Sequence, residues 1–218
     1  MKLLIFDTET TGLPKTREPA SKASDNWPHM VSIAWTVIDS DNNYQPCAVS
    51  ESYIVKPQWT IPEDSTKIHG ITQAKAEAEG IPLSTIIEKF LAIDHDIMVA
   101  HNMNFDYNVL VNAILWDLKL NVLPDFKPKF CSMETMKNVM KIPYANGRGF
   151  KPPKLTELYT YAVKKQFDSG LTHSAQYDTW LLADIIKNCE YLQEAIGLRI
   201  PTDPNPNAVK KARTTLVL

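Results

Sequence analysis

The chain has 218 residues, of which 44% are hydrophobic and 22% are charged, a composition and length typical of one globular domain. Its 23 Lys and Arg residues nearly balance 25 Asp and Glu residues. The resulting net charge of -2 excludes a protein that is held on a polyanion by bulk positive charge, although a local contact with a short polyanion stays compatible with it.

The predicted strands, in chain order, are 2–8, 31–39, 50–56, 96–101 and a short one at 129–131. Helical spacing of apolar residues predicts short helices within 63–79, interrupted by Gly70, and longer helices at 82–93, 105–118, 133–140, 154–165 and 175–196, the last ending at Gly197. This order predicts an α/β domain at 1–198 with a mixed sheet flanked by helices. The remaining segment, 199–218, is rich in Pro and Asn and then basic, which favours a flexible extension over the alternative of a docking peptide.

The cysteines and the apolar runs bear on the cellular compartment. Three cysteines lie far apart without the spacing of a zinc site, which favours free thiols in a reducing compartment. No apolar run approaches the roughly 18–20 residues of a membrane span, and the apolar run at the N-terminus is shorter than that of a signal peptide. We therefore expect a soluble, cytoplasmic protein without a membrane partner.

The first strand ends in acidic residues, in the stretch "KLLIFDTETTGL" at 2–13. Side chains alternate along a strand, so Asp7 and Glu9 project from the same face. Two carboxylates held this close raise each other's pKa unless a cation lies between them, and Mg²⁺ and Mn²⁺ prefer oxygen ligands. The pair therefore indicates half of a metal site, with an exposed acidic strand end as the alternative.

Two further acidic residues follow histidines at the starts of helices. Asp106 falls in the first turn of the helix after "VAHN", although a helix N-terminus favours an acid there for its own stability. His173 precedes Ser174, a candidate N-cap, and Asp178 lies in the first turn of the following helix or just beyond it. A single histidine before a helix is more often an ordinary loop residue than a catalytic one.

The three motifs "FDTETTGL", "HNMNFD" and "HSAQYD", in this order, resemble those of the DEDD superfamily of 3'-to-5' exonucleases. The resemblance is to the DEDDh, DnaQ-like branch, whose last motif carries histidine and which includes the proofreading epsilon subunit of bacterial DNA polymerase III. It covers roughly residues 2–195. It implies a ribonuclease H-like fold with a five-stranded mixed sheet flanked by helices.

The resemblance also implies roles for individual residues. Two divalent cations, Mg²⁺ or Mn²⁺, would be held by Asp7, Glu9, Asp106 and Asp178, and His173 would accept the proton of the attacking water. The implied contacts with the terminal nucleotide come from Thr10, Thr11, Gly12, Leu13, His69, His101, Asn102 and Phe105. His29 and His95 match no motif and are predicted to be surface residues.

The leading functional hypothesis is a 3'-to-5' exonuclease that releases nucleoside 5'-monophosphates from the 3' ends of single-stranded DNA, in proofreading or repair. An exoribonuclease on the same scaffold is the first alternative, and DNA is favoured over RNA. The second alternative is an inactive module that binds nucleic-acid ends or a DNA polymerase. A DNA polymerase also remains an open candidate as the partner of an active enzyme.

Overall fold

The computed structural model describes residues 1–197 except Val49 and Val122. The predicted extension at 199–218 lies outside the described residues, so the division at 198 stays a prediction. Within the described part of the chain, no helix is long and apolar enough to cross a membrane. All three cysteines are free thiols, with Cys47 exposed and Cys131 and Cys189 buried.

The centre of the fold is one mixed sheet. Its strands are β1 (Lys2–Thr10), β2 (Met30–Asp39), β3 (Gln45–Pro46), β4 (Glu51–Ile54), β5 (Ile97–Ala100) and β6 (Lys129–Cys131). Strand β1 pairs antiparallel with β2 and parallel with β5, and β6 continues the parallel side. Both β3 and β4 pair antiparallel with the outer edge of β2. The predicted α/β mixed sheet is confirmed, but it has six strands, since the two-residue β3 is too short to leave a sequence pattern.

Eight α-helices of the described residues cover the sheet. They are α1 (Glu63–His69), α2 (Gln73–Glu79), α3 (Leu83–Leu91), α4 (Met103–Asn112), α5 (Ser132–Met140), α6 (Leu155–Val163), α7 (Ala175–Asn188) and α8 (Glu190–Ile196). A 3-10 turn at Ser40–Asn42 follows β2, and a π-helical turn at Ala113–Asp117 extends α4.

The prediction of one helix over 175–196 is wrong, because the chain bends between α7 and α8. Cys189 has extended backbone angles, with φ -115° and ψ 96°. The side-chain amide of Gln193 donates to the carbonyl oxygens of Ile186 and Lys187, at 2.7 and 3.0 Å. These bonds satisfy carbonyls that the break frees, and the apolar pattern that runs on through both helices hides the break.

The alternation of β1 determines which side of the sheet carries the acidic residues. Phe6 belongs to a core cluster shared with α3 and α4, whereas Ile5 belongs to the opposite cluster, shared with α7. Asp7 and Glu9 continue the face of Ile5 beyond the core. They therefore lie on the α7 side, at the C-terminal end of the central strand.

Candidate active site

Carboxylates from two distant parts of the chain meet at the end of β1. Oxygen atoms of Asp7, Glu9 and Asp178 all lie within 4.8 Å of one another. Asp178 is in the first turn of α7, where its N–H donates to the carbonyl of Ser174 at 2.9 Å. Oxygen ligands of one Mg²⁺ are separated by about 3 to 4.2 Å, so only small movements would bring these oxygens onto a shared ion.

Asp106 reaches the same strand end from the other side of the sheet. It lies in the first turn of α4 and is only 2% exposed. Its Oδ1 accepts hydrogen bonds from the N–H of Thr8 at 3.0 Å and from the Thr8 hydroxyl at 2.8 Å. These bonds lower the pKa of Asp106, but burial raises it by more. Thr8, which the sequence analysis did not single out, therefore fixes the position of this carboxylate.

Burial raises the pKa of every carboxyl group in the cluster, and repulsion by neighbouring carboxylates adds to it for Asp7, Glu9 and Asp106. Burial is the largest cause in all four, and it places Asp106 at about 7. The pKa of Asp7 is raised well above its ordinary value, with the charges of Asp106 and Glu9 adding to burial. That of Glu9 is raised to about 8, with Asp178 as the next cause. Burial raises the pKa of Asp178 to about 6, and the nearby His173 offsets part of this rise.

The chemistry of these donors fits divalent metal. Carboxylate oxygens are hard ligands of the kind that Mg²⁺ and Mn²⁺ bind. Among the ion pairs of residues 1–48, 50–121 and 123–197, none joins a lysine or arginine to any of the four acids. A bound cation would supply the positive charge that lowers these pKa values again.

His173 lies at the exposed rim of the cluster. Its backbone N–H donates to Oδ2 of Asp178 at 3.3 Å, and its φ of +65° places it in the left-handed region that non-glycine residues seldom occupy. The same turn that begins α7 therefore positions both residues. In the described part of the chain, no hydrogen bond holds the imidazole ring itself, which leaves its nitrogens open to solvent or substrate.

The segment from Thr10 to Leu13 continues β1 past the acids. The Thr10 hydroxyl donates to the carbonyl of Gly12 at 2.8 Å, and the N–H of Thr11 donates to the carbonyl of His29 at 3.0 Å. Gly12 has φ +151°, which favours glycine, and a Cβ there would meet no atom within 4 Å. Leu13 is 81% exposed. We call these four residues the cradle, since they form a fixed turn that ends in an exposed apolar side chain.

His69 lies beside the cradle at the end of α1. Its Nδ1 accepts from the N–H of Ile71 at 3.1 Å, so its Nε2 carries the proton in the neutral ring. That Nε2 is buried and makes no hydrogen bond with the described residues. Burial lowers the pKa of His69, and the backbone of Thr10 is close enough to raise it in part.

His101 has a different environment from the other predicted site residues. Its Nδ1 lies 2.9 Å from the Ser132 hydroxyl and its Nε2 lies 2.9 Å from the Pro153 carbonyl, while burial lowers its pKa to about 4. The ring thus joins β5 to α5 and to the segment before α6. Its predicted contact with substrate therefore gains no support from its hydrogen bonds. Asn102 has φ +81° at the start of α4, and Phe105 packs against Trp27 with ring centroids 5.9 Å apart.

His29 and His95, which the sequence analysis predicts to be surface residues, are both half-buried, and each ring makes a close polar contact. Nδ1 of His29 lies 2.8 Å from Oδ1 of Asp117. Nδ1 of His95 lies 2.8 Å from the carbonyl of Ile93. No local motif marks His29, because its partner Asp117 is 88 positions away and only the fold brings the two together, whereas the partner of His95 is local.

Comparison with known proteins agrees with this geometry. The RNase_T family model, described as exonuclease, matches residues 4–186. A PolC-type DNA polymerase III from Mycoplasmopsis pulmonis (strain UAB CTIP) is 26% identical over 194 residues, which is 88% of this chain. The match spans only 12% of that polymerase.

Solved exonuclease structures share the fold. Exonuclease X in complex with 5' overhanging duplex DNA is 22% identical with a TM-score of 0.58, and the match covers 88% of this chain and 92% of that one. The zinc-bound E. coli exonuclease I complex with single-stranded DNA is 17% identical with a TM-score of 0.67, and the match covers 98% of this chain and 43% of that one. Exonuclease I of E. coli with a dT13 oligonucleotide is 17% identical with a TM-score of 0.65, and the match covers 91% of this chain and 44% of that one.

Proposed function

The chain belongs to the RNase_T exonuclease family, and from that membership we propose that it is a divalent-metal-dependent 3'-to-5' exonuclease acting on single-stranded DNA. The products would be nucleoside 5'-monophosphates. One observation carries the proposal: Asp7, Glu9 and Asp178 converge beside Asp106, and no lysine or arginine of the described residues forms an ion pair with them. An active site that hydrolyses phosphodiesters with divalent cations uses this arrangement, because the carboxylates hold the cations that offset the negative charge of the substrate.

The four carboxylates would hold one or two divalent cations at the end of β1. When bound, such cations supply positive charge that stabilises the charge developing on the phosphate and on the departing oxygen. Thr8 keeps Asp106 in place for this task through two hydrogen bonds. Because the carboxyl groups bind protons in the absence of a cation, protons and metal compete for the same oxygens.

His173 is proposed to accept the proton that the attacking water loses. The backbone of His173 is bonded to Asp178 and its side chain is exposed, which supports a role for the imidazole at the rim of the cluster. Imidazole is the side chain best suited to take up a proton near neutral pH. The carboxylate of Asp178 stabilises the imidazolium that results, which explains why His173 lowers the pKa of Asp178.

The cradle is proposed to receive the terminal nucleotide. Its internal bonds fix the turn from Thr10 to Gly12, and the exposed Leu13 would pack against the terminal base. The Nε2–H of His69, which is buried without a hydrogen-bond partner among the described residues, would donate to the terminal nucleotide. Contacts with a chain end rather than with a continuing strand would make the enzyme an exonuclease.

The relatives favour DNA as the substrate. The exonuclease I and exonuclease X structures contain DNA, and the curated relative is a DNA polymerase. We therefore extend the proposal to proofreading or repair of DNA, with a DNA polymerase as a candidate partner. An exoribonuclease and an inactive end-binding module are outcomes that the following experiment separates.

The test uses 5'-labelled single-stranded DNA and RNA of one sequence, incubated with Mg²⁺ or Mn²⁺. We expect a ladder of products that shorten from the 3' end on DNA and that disappear with EDTA. Asp178→Asn should abolish the ladder. Asp64→Asn should leave it unchanged, because Asp64 also lies in a first helical turn but is 93% exposed and pairs with Lys67.

Each contrary outcome of this test has a definite meaning. A faster ladder on RNA would make the chain an exoribonuclease. Binding of the labelled strand without shortening would favour the end-binding module. Cleavage of a circular single strand would contradict the requirement for a chain end.

A further inference from the structure

His29 is attached directly to the cradle through its backbone. The N–H of Thr11 donates to the His29 carbonyl at 3.0 Å, and the N–H of His29 donates to the Thr11 hydroxyl at 3.0 Å. These two bonds form a closed pair between the cradle and the start of β2. The imidazole of His29 therefore keeps a fixed position relative to the predicted terminal-nucleotide site.

A π-helical turn brings a buried carboxylate to this histidine. The N–H of Leu118 donates to the carbonyl of Ala113 at 2.9 Å, five residues back, and the wider turn directs Trp116 and Asp117 toward the segment between β1 and β2. Trp116 donates to the carbonyl of Ala20 at 2.7 Å. Oδ1 of Asp117 lies 2.8 Å from Nδ1 of His29. A carboxylate only accepts, so Nδ1 of His29 carries a proton in either charge state.

An aromatic ring holds His29 from one face. The His29 and Trp59 rings are stacked, with centroids 4.1 Å apart and planes 15° from parallel. The His29 side chain is still 39% exposed, whereas that of Asp117 is only 5% exposed. Oδ2 of Asp117 and Nε1 of Trp59 are buried without a hydrogen-bond partner among the described residues. Such groups destabilise the folded chain, so packing alone is a poor reason for this arrangement.

The net charge of the His29–Asp117 pair indicates whether it would contact a phosphate or a nucleobase of a bound strand. His29 and Asp117 together carry a charge of 0 when the ring is protonated twice and -1 when it is neutral. In neither state is there a net positive charge to attract a phosphate. A flat, fixed and partly exposed ring suits an unpaired nucleobase instead, because every base has a face that stacks on an aromatic ring.

We propose that His29, held by Asp117 and stacked on Trp59, forms a stacking subsite for the unpaired nucleobase next to the terminal one. The subsite deepens the proposed exonuclease function and rests on it. It makes His29 a positioning residue, since it holds the strand and takes no part in bond cleavage. The subsite gives a preference for unpaired over paired ends without reading the base sequence.

The test measures release of the first nucleotide from three DNA strands: one intact, one abasic at the second nucleotide from the 3' end, and one abasic at the fifth. On the intact strand, His29→Ala should raise KM by about 5- to 100-fold, the effect of losing one stacked base, with kcat within about twofold. The rise should persist on the strand abasic at the fifth position. It should vanish on the strand abasic at the second, where the unaltered chain has already lost the stack.

Two further variants keep the test decisive. Asp117→Asn retains the side-chain shape and should show a smaller rise in KM with the same dependence on the second base, even if His29→Ala folds poorly. His95→Ala removes another partly buried histidine, at the end of the sheet opposite the cradle, and should leave KM unchanged. An equal rise in KM on all three strands overturns the subsite. Failure of the unaltered chain to shorten any strand overturns the exonuclease proposal instead.

Discussion

Replacement of Glu9 by glutamine removes one buried charge from the acidic cluster while it keeps the size of the side chain. Burial and the charges of Asp178 and Asp106 raise the pKa of Glu9 from the ordinary 4.5 to about 8. Between these two values the folded chain holds a proton that the unfolded chain has lost. Without a cation, the free energy of unfolding therefore falls as the pH rises from about 4.5 to about 8.

The size of this effect follows from the two pKa values. The destabilisation by Glu9 is about 1 kcal/mol at pH 5 and about 4 kcal/mol at pH 8. Both figures are upper bounds, because Asp7 and Asp178 lie in the same cluster and also take up protons. Glu9→Gln should thus stabilise the cation-free chain by about 1 to 3 kcal/mol more at pH 8 than at pH 5, while turnover is lost.

Urea unfolding in EDTA at the two pH values measures the effect. Glu88→Gln is the matched control, since Glu88 is exposed on α3 and its replacement should change the free energy of unfolding by less than about 0.5 kcal/mol at either pH. Equal stabilisation by Glu9→Gln at pH 5 and pH 8, or destabilisation at pH 8, would refute the reasoning that like charges destabilise the acidic cluster in EDTA.

Three other substitutions separate the roles of individual side chains. His173→Ala should lower kcat about 100-fold, the usual effect of losing a general base, while Mn²⁺ should still raise the melting temperature by the same amount. An unchanged kcat at pH 7 would rule out the proton-accepting role. Thr8→Val removes the hydroxyl bond to Asp106 and further raises the pKa of that carboxyl, so the Mg²⁺ concentration for half-maximal rate should rise about tenfold. An unchanged Mg²⁺ dependence of the rate would contradict this role of Thr8. His101→Phe should reduce the free energy of unfolding, measured by urea denaturation, by about 2 kcal/mol, because both ring nitrogens make hydrogen bonds within the protein. KM should stay the same, and a raised KM would instead support the predicted contact of His101 with substrate.

The sequence predicts the central strand and its acidic end well, for a simple reason. The period of two along a strand places Asp7 and Glu9 on one face, and the structure confirms this arrangement. The predicted positions of Asp106 and Asp178 in first helical turns are also confirmed. The motifs thus predict where the acids meet, although the catalytic roles of these residues remain proposals.

The features that the sequence did not predict depend on contacts between distant parts of the chain. The two-residue β3 exists because the edge of β2 is free to pair with it. The break between α7 and α8 depends on the side chain of Gln193, which no apolar pattern reveals. Asp117 lies 88 positions after His29 in the sequence. The two residues meet only because a π-helical turn directs the side chain of Asp117 toward His29.

The most direct measurement of the central claim is anomalous X-ray diffraction from crystals of the chain grown with Mn²⁺. The claim predicts Mn²⁺ peaks within coordination distance, about 2.2 Å, of oxygen atoms of Asp7, Glu9 and Asp178, with two peaks about 3.5 to 4 Å apart when Asp106 also takes part. Asp7→Asn should remove or weaken the peaks. An unaltered chain that shows no Mn²⁺ between these carboxylates, at concentrations that support turnover, would contradict it.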